Sequence, residues 1–380
     1  MAVFRESVPR DLPGKLLEIN WALVLLLVLL GLVGVGMLYS VGGDWDPWAI
    51  RHALRLSLGF AGMMVVALFP PRFWMGVAYL AYMGSLLLLV GVEVMGETVN
   101  NSQRWLDIGP IRIQPSEVMK LALVLALARY YHDLPTNKVS SLGGLLMPAA
   151  LIAAPAALIL NQPDLGTTIL LCATGGVIVF LAGLRWWIIA PAGILAMPAA
   201  WIVYQFGLKD YQRERIITMF NPQSDPLGSG YHTIQSQIAL GSGGMTGKGY
   251  MEGSQSQLDF LPEKQTDFIF TMLGEEFGFV GGIAVLAIYA LILANSVAIA
   301  TSCKSTFLRL TTMGVATTFA LYVLINVGMV MGMLPVVGVP LPLISYGGTV
   351  MLAVQAGFGL IIGAHIHRNA QPPRGAGLLG

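Results

Sequence analysis

INWALVLLLVLLGLVGVGMLYS, residues 19–40, decides the fold class: it carries no charge and is long enough, at roughly 20 helical residues per ~30 Å of hydrocarbon, to cross a bilayer. Arg5, Arg10 and Lys15 precede it, its apolar part exceeds a signal-peptide core, and no small-x-small cleavage site follows, so an uncleaved anchor is expected. Outward from it, comparable apolar stretches recur near 49–69, 73–94, 116–132, 144–161, 166–184, 186–206, 276–300, 307–331 and 349–367. The expectation is an all-α polytopic integral membrane protein of about ten transmembrane helices, a single membrane domain over 1–380.

Composition agrees, with 56% hydrophobic and 11% charged residues and a mean hydropathy of +0.72, so lipid is the main solvent. A net charge of +1, with the 21 Lys and Arg dispersed along the loops, supplies no basic face for nucleic acid. Cys172 and Cys303 make no disulfide framework. His365 and His367, two apart, point to different faces of a helix and read against a zinc pair.

Positive charge orients the spans. Arg5, Arg10, Lys15, Arg72, Lys138, Arg185, Lys304, Arg309, Arg368 and Arg374 mark one side, which places both termini in the cytoplasm: a tail over 1–18 and a flexible, dispensable Pro/Gly-rich tail over 369–380. Asp44, Asp46, the 95–115 loop, Gln162 to Asp164, a large extracytoplasmic loop over 207–266 between spans seven and eight, and the uncharged 332–348 loop mark the other. Within 207–266, Tyr231, Ile234, Ile238 and Ala239 recur at helical spacing, as in an amphipathic helix lying at the interface.

GSGGMTGKG, residues 241–249, invites a nucleotide reading, but its spacing is one residue too long for a P-loop and Gly249 follows Lys248 where Ser or Thr is required. It reads instead as a mobile Gly-rich loop, with backbone N–H groups and Lys248 near an anionic headgroup. Asp267 has two readings. As a first-turn acid beside Thr266, an N-cap, it serves the helix dipole. As a carboxylate at the rim of a membrane bundle, beside Glu263 and Lys264, it is a candidate general base whose pKa desolvation would raise. Glu117 and Lys120, three apart in QPSEVMKLALVLALARYY, form either a neutral structural pair or the charged lining of a hydrated cavity where Lys120 meets phosphate. Arg104 adjoins Trp105, an aromatic anchor at the least, and Asp164 in NQPDLGTT reads as the N-cap of the sixth span.

RWLDIGPIRIQPSEVMKLALV, NQPDLGTT, NPQSDPLGSGYHTIQSQIALGSGGMTGKG, QSQLDFLPEKQTDFIFTMLGEEFGFVGG and LPVVGVPLPLISYGGTVML resemble the SEDS family of shape, elongation, division and sporulation proteins over nearly all ten spans, nearer its elongation branch than its division branch. The resemblance implies a peptidoglycan glycosyltransferase in the bacterial cytoplasmic (inner) membrane. Such an enzyme polymerises lipid II, an undecaprenyl-pyrophosphate disaccharide-pentapeptide, with its active site facing the periplasm. It implies a class B penicillin-binding protein as heterodimeric partner, and other elongation-complex proteins. By the same resemblance Asp267 matches the family's essential acid, Trp105 its functional Trp, and Glu117 with Lys120 its cavity pair. Lys264-Gln265 and Thr349 depart from the family's usual Arg-His and Ser.

The catalytic candidate is therefore Asp267, and the substrate-binding candidates are Arg104, Trp105, Glu117, Lys120, Lys248, Glu263 and Thr266. A divalent cation, Mg or Mn, is a candidate cofactor for the pyrophosphate, with Asp267 a candidate ligand. Two other classes stay open: a lipid II flippase, against which the hydropathy shows no inverted halves, and a non-catalytic scaffold of the elongation complex.

Overall fold

Asn20 starts the first long helix by accepting the Leu23 amide at 3.1 Å, and Gly43 ends it in the left-handed region at φ 70°. The computed structural model that shows this describes residues 11–99, 102–108, 111–188, 203–207, 210–224, 229–254 and 263–375, with 191, 198, 201 and 261. A short helix α1 (Leu12–Leu17) leads into α2 (Trp21–Gly42), α3 (Ile50–Leu68) and α4 (Pro71–Met95). Strands β1 (Glu97–Val99), β2 (Ser102–Ile108) and β3 (Ile111–Ile113) follow, then α5 (Pro115–Asp133), α6 (Leu142–Asn161) and α7 (Leu165–Leu181). Two further helices, α8 (Asp210–Phe220) and α9 (Ser229–Ser242), precede α10 (Ile269–Ser302), α11 (Thr306–Val330) and α12 (Gly348–Ile366). Seven of the described helical segments are long and apolar enough to cross a membrane, and the fold is that of an all-α polytopic membrane protein. The expected seventh span, 186–206, falls mostly outside the described residues.

α5 and α11 form the centre. α5 packs against α4, α6, α7, α11 and α12, and α11 against α5, α7, α9, α10 and α12. The charges of α5 thus face protein: Glu117, Lys120 and Arg129 are all buried, as expected where lipid cannot solvate an ion.

The 95–115 segment, expected as loop, is an antiparallel sheet in the order β1-β2-β3. Leu106 pairs with Ile113 and Asp107 with Arg112, and an Asp107–Arg112 ion pair at 2.9 Å crosses the strands. This sheet carries Arg104 and Trp105 at the end of the bundle where α5, α7, α10 and α12 begin.

Residues 241–249, read above as a mobile Gly-rich loop, are hydrogen-bonded across α10. α10 breaks at Gly278, with φ 64° and ψ −163°, and the loop fills the break. Lys248 N and Gly249 N donate to Glu275 O and Glu276 O at 3.0 and 3.1 Å, while Phe279 N and Val280 N donate to Gly244 O and Met245 O at 2.9 and 3.1 Å. A broken helix leaves backbone groups that must find partners in a water-poor setting, and here the loop supplies them. Glycine is required for the approach: a Cβ on Gly247 would stand 2.1 Å from Glu276 O, at φ +83°. Gly247→Ala is therefore expected to cost more than ~2 kcal/mol and to lower the unfolding midpoint in detergent. Gly241→Ala, where a Cβ meets nothing within 4 Å among the described residues, serves as the neutral control.

The expected amphipathic helix exists as α9, with a different buried face. Thr233, Ser236 and Ala239 are buried, whereas Ile238 is 51% exposed. Ser236 Oγ donates to Val330 O at 2.6 Å and Gln237 Nε2 to Met331 O at 3.2 Å, so polar contacts dock α9 on the end of α11.

The expected flexible tail is also placed as far as Gly375. His132 Nε2 lies 3.2 Å from Pro372 O, and Gly375 N donates to Asp133 Oδ1 at 2.9 Å, folding the chain against the far end of α5. Residues 376–380 lie outside the described residues.

Candidate active site

The short segment 263–268 leads into α10. Glu263 adopts φ 57°, and Thr266 turns back on it, with N to Glu263 O at 3.1 Å and Oγ1 to Glu263 Oε2 at 3.0 Å. Thr266 is thus not the N-cap: the helix begins at Ile269, and the cap position is Phe268, with no side-chain cap bond. The next peptides are held by their carbonyls. Tyr346 N donates to Gln265 O at 2.8 Å, Ser345 Oγ to Thr266 O at 2.5 Å, and Asn326 Nδ2 to Asp267 O at 2.9 Å.

The loop that supplies the first two of these donors, 335–347, is itself anchored in the bundle, while Asn326 comes from α11. Tyr289 OH donates to Pro342 O at 2.6 Å, His52 Nε2 lies 3.1 Å from Leu343 O, and Leu341 N donates to Ser345 Oγ at 2.7 Å. Its Gly338, at φ +72°, faces the carboxylate: a Cβ there would lie 3.3 Å from Asp267 Oδ2. Asp267 is half-buried. Burial pushes its pKa up to about 7, the neighbouring Glu263 adds to the rise, and Arg215 and Arg104 oppose it.

Arg104 is fixed on the near wall. Its Nη2 donates to Pro163 O at 2.6 Å, and its Nη1 lies 3.6 Å from Asp164 Oδ2. Asp164 caps α7, as its position in NQPDLGTT suggests, accepting from Thr167 N at 3.1 Å and Thr167 Oγ1 at 2.9 Å. Arg104 and Arg215 line a cleft with Gly166, Gln212 and Val337. Trp105, the next strand residue, belongs to the opposite face of the sheet.

Below this cleft, Lys120 Nζ donates to Glu117 Oε1 at 2.8 Å and to Tyr322 OH, and Tyr322 OH donates to Glu117 Oε2. The three close a buried polar ring at one end of a small, largely apolar cavity between α5, α11 and α12. Tyr322 and Asn326 are four apart on α11, so the ring lies one helical turn, ~6 Å, from the amide that holds Asp267.

Lys248 is placed elsewhere. Its Nζ lies 2.6 Å from Glu275 Oε1 and 2.9 Å from Ser254 Oγ, so its charge is spent on the loop that fills the α10 break. Among the described residues no three His, Cys, Asp or Glu converge as metal ligands. Of the two neighbouring carboxylates, the exposed Glu263 suits Mg²⁺, which keeps several waters and takes substrate phosphate as ligand, whereas burial disfavours on Asp267 the charge that a metal ligand needs.

Sequence reasoning missed Tyr322, Asn326, Ser345 and Gly338. A signal for two of them was present, because polar residues four apart in an otherwise apolar span are expensive unless used. Arg215 was visible as a charge in 207–266, without a hint of its destination.

A family description for cell cycle proteins, covering FtsW, RodA and SpoVE, matches residues 16–370. The chain belongs to the FtsW/RodA/SpoVE family. Within that family it is 43% identical over 347 residues to the peptidoglycan glycosyltransferase MrdB of Escherichia coli strain K12, covering 90% of this chain and 93% of that one. It is 33% identical over 353 residues to stage V sporulation protein E of Bacillus subtilis strain 168, covering 90% and 95%. Among solved structures it matches a chain from a peptidoglycan synthase complex with a TM-score of 0.80 at 33% identity, covering 92% of this chain and 98% of that one. It matches the rod shape determining protein RodA of Thermus thermophilus with a TM-score of 0.70 at 30% identity, covering 93% and 98%. The FtsW/RodA/SpoVE architecture agrees with the multi-pass fold described above.

Proposed function

We propose that this chain is a peptidoglycan glycosyltransferase that polymerises lipid II during cell elongation, with Asp267 as general base. The observation that carries the assignment is the half-buried Asp267 carboxylate, poised near neutrality, beside a cleft lined by Arg104 and Arg215. The 4-hydroxyl of the acceptor sugar attacks the donor's anomeric carbon. The new C–O bond forms as the bond to the lipid pyrophosphate breaks, the hydroxyl proton passes to Asp267, and the negative charge leaves with the pyrophosphate. An α-linked donor giving a β-linked product means inversion by direct displacement, which needs one base. Arg104 and Arg215 bring positive charge to the leaving group. When bound at the exposed Glu263 carboxylate, Mg²⁺ or Mn²⁺ would add charge neutralisation of the pyrophosphate and leave Asp267 to take the proton.

Positive-inside charge supports a site on the periplasmic face of the bacterial cytoplasmic membrane. The partner is a class B penicillin-binding protein that cross-links the strands, a reading supported by the structural likeness to a chain of a peptidoglycan synthase complex in which polymerization and crosslinking are coordinated. The test is to reconstitute the chain with that partner in liposomes bearing labelled lipid II on both leaflets. Glycan polymer is the expected product. Redistribution of lipid II between leaflets without polymer would make the chain a flippase instead.

A further inference from the structure

We infer that Asn326 is a positioning residue that sets where the Asp267 carboxylate sits, an inference that rests on Asp267 being the general base. Asn326 lies on α11, fully buried, and its Nδ2 donates to Asp267 O at 2.9 Å and to Val339 O at 2.7 Å. A carboxamide nitrogen has two hydrogens, and both are used. Two carbonyl acceptors at those distances also fix which end of the amide faces them, since an oxygen there would repel both.

The two acceptors are the two sides of one gap. Asp267 bears the carboxylate, and Val339 follows Gly338, the residue that Asp267 Oδ2 faces. One side chain therefore spans the carboxylate's own peptide and the wall opposite it. Ser345 and Tyr346 hold the two preceding carbonyls, of Thr266 and Gln265, so the chain reaches Asp267 with little freedom left. Asn326 brings its tie from the helix that also carries Tyr322, which closes the Glu117–Lys120 ring.

A plain structural role, gluing loop 335–347 to the bundle, explains less. Among the described residues Asn326 Oδ1 is buried with no hydrogen-bond partner, a cost that an apolar residue of similar size would avoid. The amide is worth that cost where a fixed gap matters, because a base must be held within hydrogen-bond reach of the proton it takes. Losing Nδ2 frees the Asp267 peptide, and the carboxylate can then turn toward water. Both consequences are measurable: the base is misplaced, and its pKa falls toward the ordinary carboxylate range.

The experiment compares wild type, Asn326→Ala, Asn326→Leu and Ser345→Ala, each in complex with the class B partner, by initial rates of glycan formation from lipid II between pH 5 and 9. Asn326→Leu keeps the volume and loses both donors without adding a charge. The expected result is a fall in kcat of ~10- to 100-fold with KM little changed. The acid limb is expected to shift down by about 1 pH unit. Ser345→Ala, a smaller perturbation, should move both in the same direction by less.

An unshifted acid limb, with rate lost only in proportion to folded protein, would overturn the positioning role and leave Asn326 as loop glue. If Asn326→Ala fails to fold, an unmoved limb in Ser345→Ala overturns the clamp by itself. Wild type that makes no polymer would instead strike the proposed function, so the two failures are distinct.

Discussion

Asp267→Asn is expected to polymerise lipid II about 10³-fold more slowly than wild type, within the ~10²- to 10⁴-fold that a positioned general base contributes. The carboxamide has nearly the shape of the carboxylate, and the three carbonyl contacts to Gln265, Thr266 and Asp267 come from Tyr346, Ser345 and Asn326. None of those contacts uses the Asp267 side chain, so the fold and the complex should persist. Burial disfavours the ionised carboxylate, and a neutral side chain removes that burden. The variant's unfolding midpoint should therefore equal or exceed wild type, the usual sign of an active site that trades stability for chemistry. Initial rates and thermal unfolding on the same purified complex read both halves. A slow variant that also melts early would point to structural damage rather than loss of a base.

The second large effect is expected at the buried pair beneath the site. Glu117 and Lys120 side chains are each 4% exposed and 2.8 Å apart, with Tyr322 bonded to both. Glu117→Ala strands an ammonium among apolar walls, and uncompensated buried charges of this kind cost ~3–5 kcal/mol. The Glu117→Gln, Lys120→Met double variant removes both charges at similar volume and should recover most of that loss, since a buried pair seldom exceeds an apolar substitute in stability. Thermal unfolding in detergent reads the difference. Equal destabilisation by single and double variants would mean that packing around α5, rather than charge pairing, sets the stability there.

Most of the helical frame was legible from the sequence because lipid imposes one rule: a run of about 20 apolar residues becomes a helix. The expected spans at 19–40, 73–94 and 307–331 lie within two residues of Trp21–Gly42, Pro71–Met95 and Thr306–Val330. The rule says nothing of what happens where it is broken. The start of α10 at Ile269, its break at Gly278 and the 241–249 loop that fills it depend on contacts between segments some thirty residues apart. The glycines there read as flexibility when they in fact permit close approach. Strands β1 to β3 read as loop in the sequence because three to seven residues carry too little periodicity.

At the site, Asp267, Arg104 and the Glu117–Lys120 pair stood out as charges in a membrane chain. Their convergence with Arg215, Asn326 and Gly338 did not, because those residues meet by tertiary packing and share no spacing. Lys248 carries the opposite lesson. A cation in a Gly-rich loop suggested a headgroup contact, and the structure commits it to Glu275, a buried carboxylate five residues beyond Phe270.

The most direct test of Asp267 as base is the pH dependence of the polymerisation rate at saturating lipid II. The base works when ionised, so the rate should be flat above pH 7 and fall about tenfold per pH unit below a limb near 7, where burial has raised the carboxylate. The residual rate of Asp267→Asn should show no such limb. A wild-type rate that stays level down to pH 5, or a limb that survives unchanged in Asp267→Asn, would contradict the assignment and move the chemistry to another group.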